Sequence, residues 1–199
     1  MDKRVGVLGG GQLGRMLVEA ANRLNITVNI LDKEGAPAKQ ISAHGGHIPG
    51  SFKDEQAIRS LAERSDVITV EIEHVDTTVL EQISSSTKVE PSAKTISIIQ
   101  DKYRQKQHLI AANVATAQSL AVEQKTTDEL AAIGEKLGYP YMLKARKDAY
   151  DGRGNFPVKS SNDFQQALEF LGDRQLYAEK WADFRIEVSL SIYTSRTSH

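Results

Sequence analysis

The chain has 199 residues, of which 40% are hydrophobic and 26% charged, and its formal net charge is -1 at pH 7. These values are typical of a globular protein with one large domain or two small ones, and they exclude the strongly basic surface that phosphate-driven nucleic-acid binding needs. The absence of cysteine excludes disulfides, thiolate metal sites and cysteine nucleophiles. With no secretory signal or membrane-spanning apolar stretch in the sequence, we expect a cytoplasmic protein.

The first part of the chain alternates β-rich apolar runs with stretches of helical spacing. The predicted strands cover residues 4–9, 26–32 and 66–73, and the predicted helices cover residues 12–24, 54–65 and 76–84. Asp54 is the expected N-cap of the second helix. This alternation predicts an α/β, Rossmann-like domain at residues 1–91, with a parallel sheet and helices on its faces.

The pattern changes after this domain. Residues 92–114 are mostly helical in pattern, and we expect residues 92–115 to form a helical bridge. The strands expected beyond it cover residues 116–123, 139–146, 156–159 and 175–181, and the helices cover residues 126–138 and 161–172. This mixed order predicts an α+β domain at residues 116–188, followed by a divergent tail at residues 189–199.

Local signals refine the second domain. Thr127 or Asp128 should lie near the N-cap of its first helix, and Gly138 should end that helix. An antiparallel hairpin is expected around the glycine-containing loop at residues 147–155. Pro157 cannot donate to a strand ladder, so its strand position is expected at a sheet edge.

A strand that runs into a glycine turn and then a helix opens the chain. Gly9, Gly11 and Gly14 have the G-x-G-x-x-G spacing, which permits a tight turn, close approach of a phosphate and close packing of the helix. N–H groups at a helix start favour an anion. Asp32 ends the second strand about where a ribose-binding acid lies in dinucleotide sites. A dinucleotide, another phosphate ligand and a purely structural turn are all compatible with this pattern.

A second candidate site follows the strand that Lys144 ends. Lys144, Arg146, Lys147 and Arg153 place four cations within ten residues, beside a glycine-containing loop. Such a loop can supply backbone donors and positive charge to a polyphosphate. It is not a Walker A loop, because the G-x-x-x-x-G-K-[ST] pattern does not occur. A solvated basic hairpin is the alternative.

A third candidate site is the end of the strand at residues 175–181. Glu179 there could present a strand end to a purine edge, with Trp181 as a wall, and a charged strand end beside a core tryptophan is the alternative. Among the histidines, His44 and His47 have no further ligand at metal spacing, so we expect a solvated loop. His74 beside Glu73 either touches substrate or is a strand-end histidine with satisfied hydrogen bonds.

Together these stretches resemble the ATP-grasp superfamily. They are most similar to the N5-carboxyaminoimidazole ribonucleotide synthetase family, which includes the amino-terminal part of bifunctional fungal-type phosphoribosylaminoimidazole carboxylase. The resemblance is carried by "GVLGGGQLGRMLVEAANRL", "ILD", "TVEIEHV", "IQDKYRQKQHL", "YDGRGN" and "YAEKW". It implies a pre-ATP-grasp domain at residues 1–91 and part of an ATP-grasp small subdomain at residues 116–188.

The resemblance implies an enzyme of purine biosynthesis. The family uses MgATP to activate bicarbonate as carboxyphosphate, and the exocyclic amine of 5-aminoimidazole ribonucleotide captures the carbon dioxide released. Exclusion of water protects the labile intermediate, and cations stabilise the transferring phosphoryl group. ATP and Mg²⁺ are the implied cofactors, 5-aminoimidazole ribonucleotide and bicarbonate the implied substrates, and a homodimer the implied assembly.

The resemblance also implies which residues form the sites. The implied catalytic residues are Tyr150, Asp151 and Arg153. The implied ATP-binding residues are Lys102, Lys144, Ala149, Tyr150, Asp151, Gly152, Arg153, Gly154, Asn155, Glu179, Lys180, Trp181, Ala182 and Glu187. The implied ribonucleotide-binding residues are Gly11, Gln12, Leu13 and Glu73. The glycine turn would then face a ribonucleotide phosphate and not a dinucleotide.

The sequence departs from the family pattern near residue 189. The family continues with further ATP-grasp core that supplies acidic magnesium ligands, so these ligands are expected beyond the end of the chain and a truncated form or fragment is expected. Poor neutralisation of the γ-phosphoryl charge would then weaken catalysis by this chain alone. A NAD(P)-dependent oxidoreductase and a non-catalytic nucleotide-binding remnant are the alternatives to the ligase.

Overall fold

A computed structural model describes residues 3–42, 44–149, 153–188 and 190. The chain divides into two compact units. The first comprises Met1–Thr116 and Ala145–Gly154, and the second comprises Ala117–Lys144 and Asn155–His199. The first unit therefore contains the predicted bridge and nearly all of the loop predicted at residues 147–155. The domain limits at residues 91, 115 and 188 stay a prediction.

A parallel sheet forms the centre of the first unit. Its strands are β1 Arg4–Leu8, β2 Thr27–Asp32, β3 Ile48–Pro49, β4 Val67–Val70 and β5 Lys88–Val89. They lie in the order β3-β2-β1-β4-β5, and their pairings are parallel. The predicted parallel sheet is thereby confirmed, with β1 in its middle.

Helices cover both faces of this sheet. They are α1 Gln12–Arg23, α2 Glu55–Glu63, α3 Thr77–Ile83, α4 Ala93–Ile99 and α5 Lys102–Ala111, with a 3-10 turn at Pro37–Ile41. Successive residues of a strand point to opposite faces. Val7 accordingly joins an apolar cluster with Val18 of α1, whereas Leu8 joins another with Ile58 of α2 and Leu80 of α3.

Side-chain caps fix where the helices begin. Asp54 accepts a backbone hydrogen bond at the start of α2, as the sequence predicts. The predicted helical run at residues 92–114 is interrupted, because α4 ends at Ile99 and Asp101 caps α5 by accepting N–H groups of its first turn. The bridge is therefore helical, as expected, but it consists of two helices.

Two short strands and one strand end differ from the prediction. β3 and β5 have two residues each and were not predicted, because so short a segment carries no apolar alternation. The strand predicted at residues 66–73 ends at Val70. The Glu71 N–H still donates to the Leu8 carbonyl at 2.9 Å. The acidic residues after β4 consequently lie at the carboxyl edge of the sheet, where parallel sheets bind ligands.

The second unit contains a four-stranded sheet and two helices, in an α+β order along the chain. Its strands are β6 Ser119–Val122, β7 Tyr141–Ala145, β8 Asn155–Val158 and β9 Leu176–Lys180, and the helices are α6 Thr127–Leu137 and α7 Phe164–Leu171. The strand order is β6-β9-β7-β8, with antiparallel pairing of β6 with β9 and of β7 with β8. The predicted hairpin and the predicted fold class are both confirmed.

Local details of this sheet follow the sequence closely. Pro157 lies on the edge strand β8, as expected. The N-cap of α6 is Thr126, whose side chain accepts the N–H of Glu129, so Thr127 lies next to the N-cap as expected. Gly138 ends α6 with a φ of +79°, as predicted. Among the described residues, no helix combines the length and apolar character needed to cross a membrane.

Candidate functional site

The glycine turn joins β1 to α1 at the carboxyl edge of the parallel sheet. Gly9 has a φ of +101°, which side chains disfavour, and its N–H donates to the Leu31 carbonyl at 3.0 Å. A Cβ on Gly14 would lie 3.1 Å from the carbonyl oxygen of Gly9, a tight contact, so glycine at this position lets α1 pack closely on the turn. The structural roles predicted for these two glycines are confirmed.

The amino-terminus of α1 presents backbone donors without a side-chain cap. Gly11 is the N-cap residue, and the first turn of α1 carries no acidic residue. By contrast, α2, α3, α4, α5 and α6 each begin with a capping side-chain oxygen. Gln12 and Leu13 are exposed at the start of α1. Because the first N–H groups of a helix have no partner within it, this end can accept an anion.

Two carboxylates flank the turn. Asp32, at the end of β2, accepts the N–H of Gly10 at 2.7 Å and thereby braces the turn. Glu71, directly after β4, lies so near that a Cβ on Gly9 would be 2.5 Å from its Oε2. The sequence pattern pointed to Glu73 and not to Glu71. It could not separate the two, because the predicted strand runs to residue 73, whereas β4 ends at Val70.

Glu73 lies beside a polar cavity in the first unit. Its carboxylate is 41% exposed, and its Oε1 is 3.7 Å from Nε2 of His74. The other ring nitrogen of His74, Nδ1, is 3.3 Å from Oδ1 of Asp148. The cavity, of about 330 Å³, is lined by Lys53, His74, Val75, Asp76, Thr77, Gln100, Lys147 and Asp148. The assignment of Glu73 to the ribonucleotide stays a prediction.

The glycine-containing loop at residues 147–155 is called the basic loop below. Its beginning is hydrogen-bonded to the first turn of α5. Lys102 donates from Nζ to the carbonyl of Ala149 at 3.0 Å, and its backbone N–H donates to the carbonyl of Arg146 at 2.9 Å. Arg146 in turn lies 2.6 Å from Asp101, measured between Nη2 and Oδ2. The structure therefore brings together Lys102 and Ala149, two of the residues predicted to bind ATP.

Asp101 is the buried acid of this cluster, with a side chain that is 8% exposed. Burial raises the pKa of its carboxyl, but hydrogen bonds from the Arg146 side chain and the Arg104 N–H outweigh burial and lower this pKa overall. Arg146 also lies over the ring of Tyr103, 5.2 Å from its centroid. Asp101 could not be singled out from the sequence, because an acid inside a helical run carries no motif of its own.

The middle of the glycine-containing loop at residues 147–155 lies outside the described residues. This applies to the sites predicted at Tyr150, Asp151 and Gly152. Just beyond them, Arg153 is exposed, and the carbonyl of Gly154 accepts the N–H of Ala145 at 2.7 Å. A Cβ on Gly154 would overlap that of Ala149, so the backbone passes there only as glycine. The ligands of these residues stay a prediction.

In the second unit, a lysine and an acid meet on adjacent strands. Buried and half-buried residues alternate along β7, and Lys144 lies on the half-buried face. Its Nζ donates to Oε1 of Glu179 on the neighbouring strand β9 at 2.9 Å. The two side chains are 23% and 14% exposed. The structure thus brings together two residues that the resemblance assigns to ATP.

A cavity of about 170 Å³ opens beside this pair. It is lined by Met142, Lys144, Glu179, Lys180, Trp181, Ala182 and Phe184. Trp181 is 44% exposed and Phe184 65% exposed, so the alternative of a core tryptophan is wrong. A cation, a strand end and two exposed aromatic rings therefore line the same concave surface.

Two further residues of the predicted ATP site do not line this cavity. Asn155 begins β8, where it pairs with Lys144 in the strand ladder. Glu187 is exposed on the segment that follows β9. Neither belongs to the cavity lining, and their roles at a nucleotide stay a prediction.

His44 and His47 do not form the solvated loop that the sequence predicts. His47 accepts the N–H of Ile30 on Nδ1 at 3.1 Å and contacts the carbonyl of Ser42 through Nε2 at 2.7 Å. The ring of His44 lies 4.4 Å from that of His47 and contacts the carbonyl of Val28 at 3.0 Å. Burial lowers the pKa of His47, since desolvation disfavours the imidazolium form. These contacts make the pair a brace for the loop before β3.

Among the described residues, the acidic side chains near the candidate sites do not form a metal centre. Within the part of the chain that the structure describes, no group of three or more histidine, aspartate or glutamate side chains could hold a metal ion. Asp101 and Glu179 pair with Arg146 and Lys144. The described residues therefore do not fit a resident Mg²⁺ site.

Comparison with known proteins covers both units. Residues 1–100 match the ribonucleotide synthetase preATP-grasp domain, and residues 107–198 match the ATP-grasp domain. The first match contains the glycine turn and Glu73. The second contains the basic loop, Lys144 and the segment around Glu179.

Relatives of known sequence and structure extend this result. The chain is 57% identical over 197 residues to phosphoribosylaminoimidazole carboxylase of Candida albicans, covering 98% of this chain and 35% of that protein. It thus spans about a third of the length of this curated relative. Carboxyaminoimidazole ribonucleotide synthase of Aspergillus clavatus, solved with ATP, is 58% identical with a TM-score of 0.89, covering 92% of this chain and 48% of that one.

A second Aspergillus clavatus structure, N5-carboxyaminoimidazole synthase with ADP and 5-aminoimidazole ribonucleotide, is 56% identical. Its TM-score is 0.88, with coverage of 92% of this chain and 48% of that one. The order of the two family domains, the sheet topologies and the sequence identity agree with each other. The chain belongs to the ribonucleotide synthetase preATP-grasp family, in the ATP-grasp group of N5-carboxyaminoimidazole ribonucleotide synthases and phosphoribosylaminoimidazole carboxylases.

Proposed function

We propose that this chain binds the nucleotide and the ribonucleotide in the ATP- and bicarbonate-dependent carboxylation of 5-aminoimidazole ribonucleotide, a step of purine biosynthesis. The observation that carries the proposal is the Lys144–Glu179 pair, which lies beside a cavity with the exposed Trp181. Bicarbonate as the carbon source, Mg²⁺ as the counter-ion of ATP, a cytoplasmic location and a homodimer follow from the resemblance and belong to the same proposal.

The cavity of the second unit is assigned to ATP. Lys144 supplies a compact positive charge for the α- and β-phosphates, and Glu179 holds the ammonium group in place before the nucleotide arrives. Trp181 offers a ring face to the adenine, and the backbone of Lys180 and Ala182 borders the same cavity. Stacking on an aromatic ring is worth about 1–3 kcal/mol per base, so this wall is a substantial part of the expected affinity.

The glycine turn of the first unit is assigned to the monophosphate of the ribonucleotide. Its donors are the backbone N–H groups at the uncapped start of α1, where Gly11 leaves room for a phosphate. Glu71 and Glu73 can accept hydrogen bonds from ribose hydroxyls, since both follow β4 at the same sheet edge. Asp32 accepts the N–H groups of Gly10 and Lys33, one on each carboxylate oxygen, and thereby braces the turn.

The basic loop is assigned to the reacting phosphoryl group. Lys102 and Arg153 can neutralise charge that develops as phosphate leaves ATP, which is the main catalytic demand of phosphoryl transfer. The catalytic roles of Tyr150, Asp151 and Arg153 at bicarbonate and the imidazole rest on the resemblance. ATP supplies the phosphoryl group that activates bicarbonate, and the residues of this chain bind it and orient it.

Calorimetric titration of the chain with MgATP and with NADH tests the assignment. We expect saturable binding of ATP and a dissociation constant that rises about 10- to 100-fold in Lys144→Met, because a charge-assisted hydrogen bond is worth about 1.5–3 kcal/mol. Lys136→Met, at an exposed lysine of α6, is the matched control and should bind ATP as the wild type does. Tight NADH binding without an ATP response would refute the ligase assignment.

A second measurement separates an active ligase from a binding remnant. ADP release that requires both 5-aminoimidazole ribonucleotide and bicarbonate is the result expected of the complete reaction. ATP binding without that release would restrict the function of this chain to nucleotide binding.

A further inference from the structure

We propose that Asp101 and Arg146 form a positioning pair that sets Lys102 for a nucleotide phosphate, an inference that rests on the proposed ATP-dependent function. The two residues act through Lys102 and through the backbone at the start of the basic loop. All of these groups belong to the first unit. The pair therefore links the start of α5 to the segment that directly follows the ATP-assigned Lys144.

The geometry between the two side chains is that of a fork gripping a carboxylate. Arg146 donates from Nε to both carboxylate oxygens of Asp101 at 3.1 Å, and from Nη2 to Oδ2 at 2.6 Å. The same carboxylate accepts the N–H groups of Tyr103 and Arg104 at 3.1 and 3.0 Å. One acid thus fixes the direction of α5 and the rotamer of Arg146, and a planar guanidinium has little freedom once gripped in this way.

Hydrogen bonds to backbone carbonyls fix the position of Lys102. Its N–H donates to the Arg146 carbonyl at 2.9 Å, and its Nζ donates to the Ala149 carbonyl at 3.0 Å. An ammonium group has three donors, of which the contact with Ala149 uses one. Lys102 is therefore held at the start of the loop in an orientation in which its ammonium group can also donate to a phosphate oxygen. Its placement depends on where the backbone carbonyl of Arg146 lies.

A second ion pair of the same unit, Arg4 with Asp66, is exposed and serves for comparison. Arg4 and Asp66 are 3.3 Å apart, with side chains that are 50% and 44% exposed. Arg146 and Asp101 are 26% and 8% exposed. Water and salt screen the first pair, whereas a buried carboxylate needs its partner. The contrast makes Asp66→Asn a matched control for Asp101→Asn.

Two variants separate positioning from helix capping. Asparagine is as good an N-cap as aspartate, so Asp101→Asn keeps the cap of α5 and removes the charge that grips Arg146. Arg146→Lys keeps the positive charge and removes the fork. In both variants we expect backbone hydrogen exchange at Lys102 and in the peptide covering residues 145–149 to accelerate by about tenfold or more through local opening. Exchange in β1 reports global unfolding and should stay near that of the wild type.

Nucleotide affinity provides the readout that a purely structural pair would not change. We expect the ATP dissociation constant to rise by about tenfold or more in Asp101→Asn and less in Arg146→Lys, because a displaced Lys102 makes a weaker charge-assisted hydrogen bond to phosphate. Asp66→Asn should match the wild type in both ATP affinity and exchange at Lys102.

Each outcome has a distinct meaning. If Asp101→Asn and Arg146→Lys bind ATP and exchange at Lys102 as Asp66→Asn does, the positioning pair is refuted and Asp101 is only a helix cap. If exchange accelerates while ATP affinity stays that of the wild type, the phosphate role of Lys102 is refuted. If the wild-type chain binds no ATP at all, the proposed function itself fails, and the exchange data still decide whether the pair orders the loop.

Discussion

The two units differ in the donors that the proposed function assigns to an anion. In the first, the glycine turn offers the backbone N–H groups of α1, and the carboxylates of Asp32 and Glu71 flank it. In the second, the cavity depends on the charged side chain of Lys144, which Glu179 holds and Trp181 flanks. Backbone donors suit a compact monophosphate, whereas a lysine with an aromatic wall suits a polyphosphate joined to a base. The proposed function thus gives each unit a phosphate ligand of its own.

The largest effect is expected at the turn itself. Gly9→Ala must place a Cβ at a φ of +101°, 3.0 Å from Cγ2 of Ile72 and 3.3 Å from Cβ of Glu71, so we expect a loss of about 2–4 kcal/mol in the free energy of unfolding. Gly35→Ala is the control, because Gly35 has a φ of +73° but no atom within 4 Å of the added Cβ. It should cost about 1 kcal/mol. Urea unfolding measures both, and equal losses would contradict close packing at the turn.

The next effect sharpens the role of the second unit. Trp181→Ala removes the exposed ring beside Lys144 and should raise the ATP dissociation constant by about 5- to 100-fold, corresponding to about 1–3 kcal/mol of stacking. Phe170→Ala, at a 53% exposed aromatic of α7, is the control and should leave ATP binding unchanged. Calorimetry with MgATP compares the two. Unchanged ATP affinity in Trp181→Ala would show that adenine does not stack on Trp181.

A smaller effect tests the turn as a binding site. Gly11 has a φ of -70° and ψ of -155°, and an added Cβ would lie 3.4 Å from Oε1 of Glu71, so alanine fits there with a loss of stability below about 1 kcal/mol. The methyl group would nevertheless occupy space that a phosphate needs. We expect Gly11→Ala to weaken 5-aminoimidazole ribonucleotide binding about tenfold, a cost of about 1.4 kcal/mol, while ATP affinity stays the same. Weakened ATP binding with intact ribonucleotide binding would reverse the assignment of the two sites.

The smallest effect is a pH dependence confined to the loop before β3. The pKa of His47 is lowered in the folded chain by burial, so below about pH 6.5, where an unfolded histidine takes up a proton, the unfolded state binds more protons. Stability due to this group is therefore present above that pH and is lost as the pH falls through the folded pKa. Lys39 and His44 lower the same pKa by their charge.

Urea unfolding at pH 7.5 and pH 5.5 measures this effect. The wild type should lose more stability than His47→Gln between the two conditions, because only the wild type carries the displaced titration. An equal loss in both proteins would show that His47 titrates as freely as an exposed histidine.

The sequence predicts those parts of the fold that local periodicity encodes. The parallel sheet, the hairpin of β7 and β8 and the cap at Asp54 follow from strand alternation, turn residues and capping preferences. The two-residue strands β3 and β5 could not be found in this way, since only pairing with β2 and β4 makes them strands. The break at Asp101 depends likewise on a contact with Arg146, 45 positions further along the chain.

The residues of the candidate sites also fall into those that the sequence could predict and those that it could not. Lys144 and Glu179 could be found because their motifs resemble a family, and the structure adds that they meet at 2.9 Å. Glu71 could not be separated from Glu73 without knowing that β4 ends at Val70. The bracing role of His47 depends on the backbone of Ile30 in the neighbouring strand, which spacing along the sequence does not reveal.

Fluorescence of Trp181, the only tryptophan of the chain, tests the central claim most directly. The claim of two separate sites predicts a saturable change on titration with MgATP that Lys144→Met abolishes and Gly11→Ala leaves intact. The contrary result would be a Trp181 response to NADH that Gly11→Ala abolishes, with no response to MgATP in the wild type.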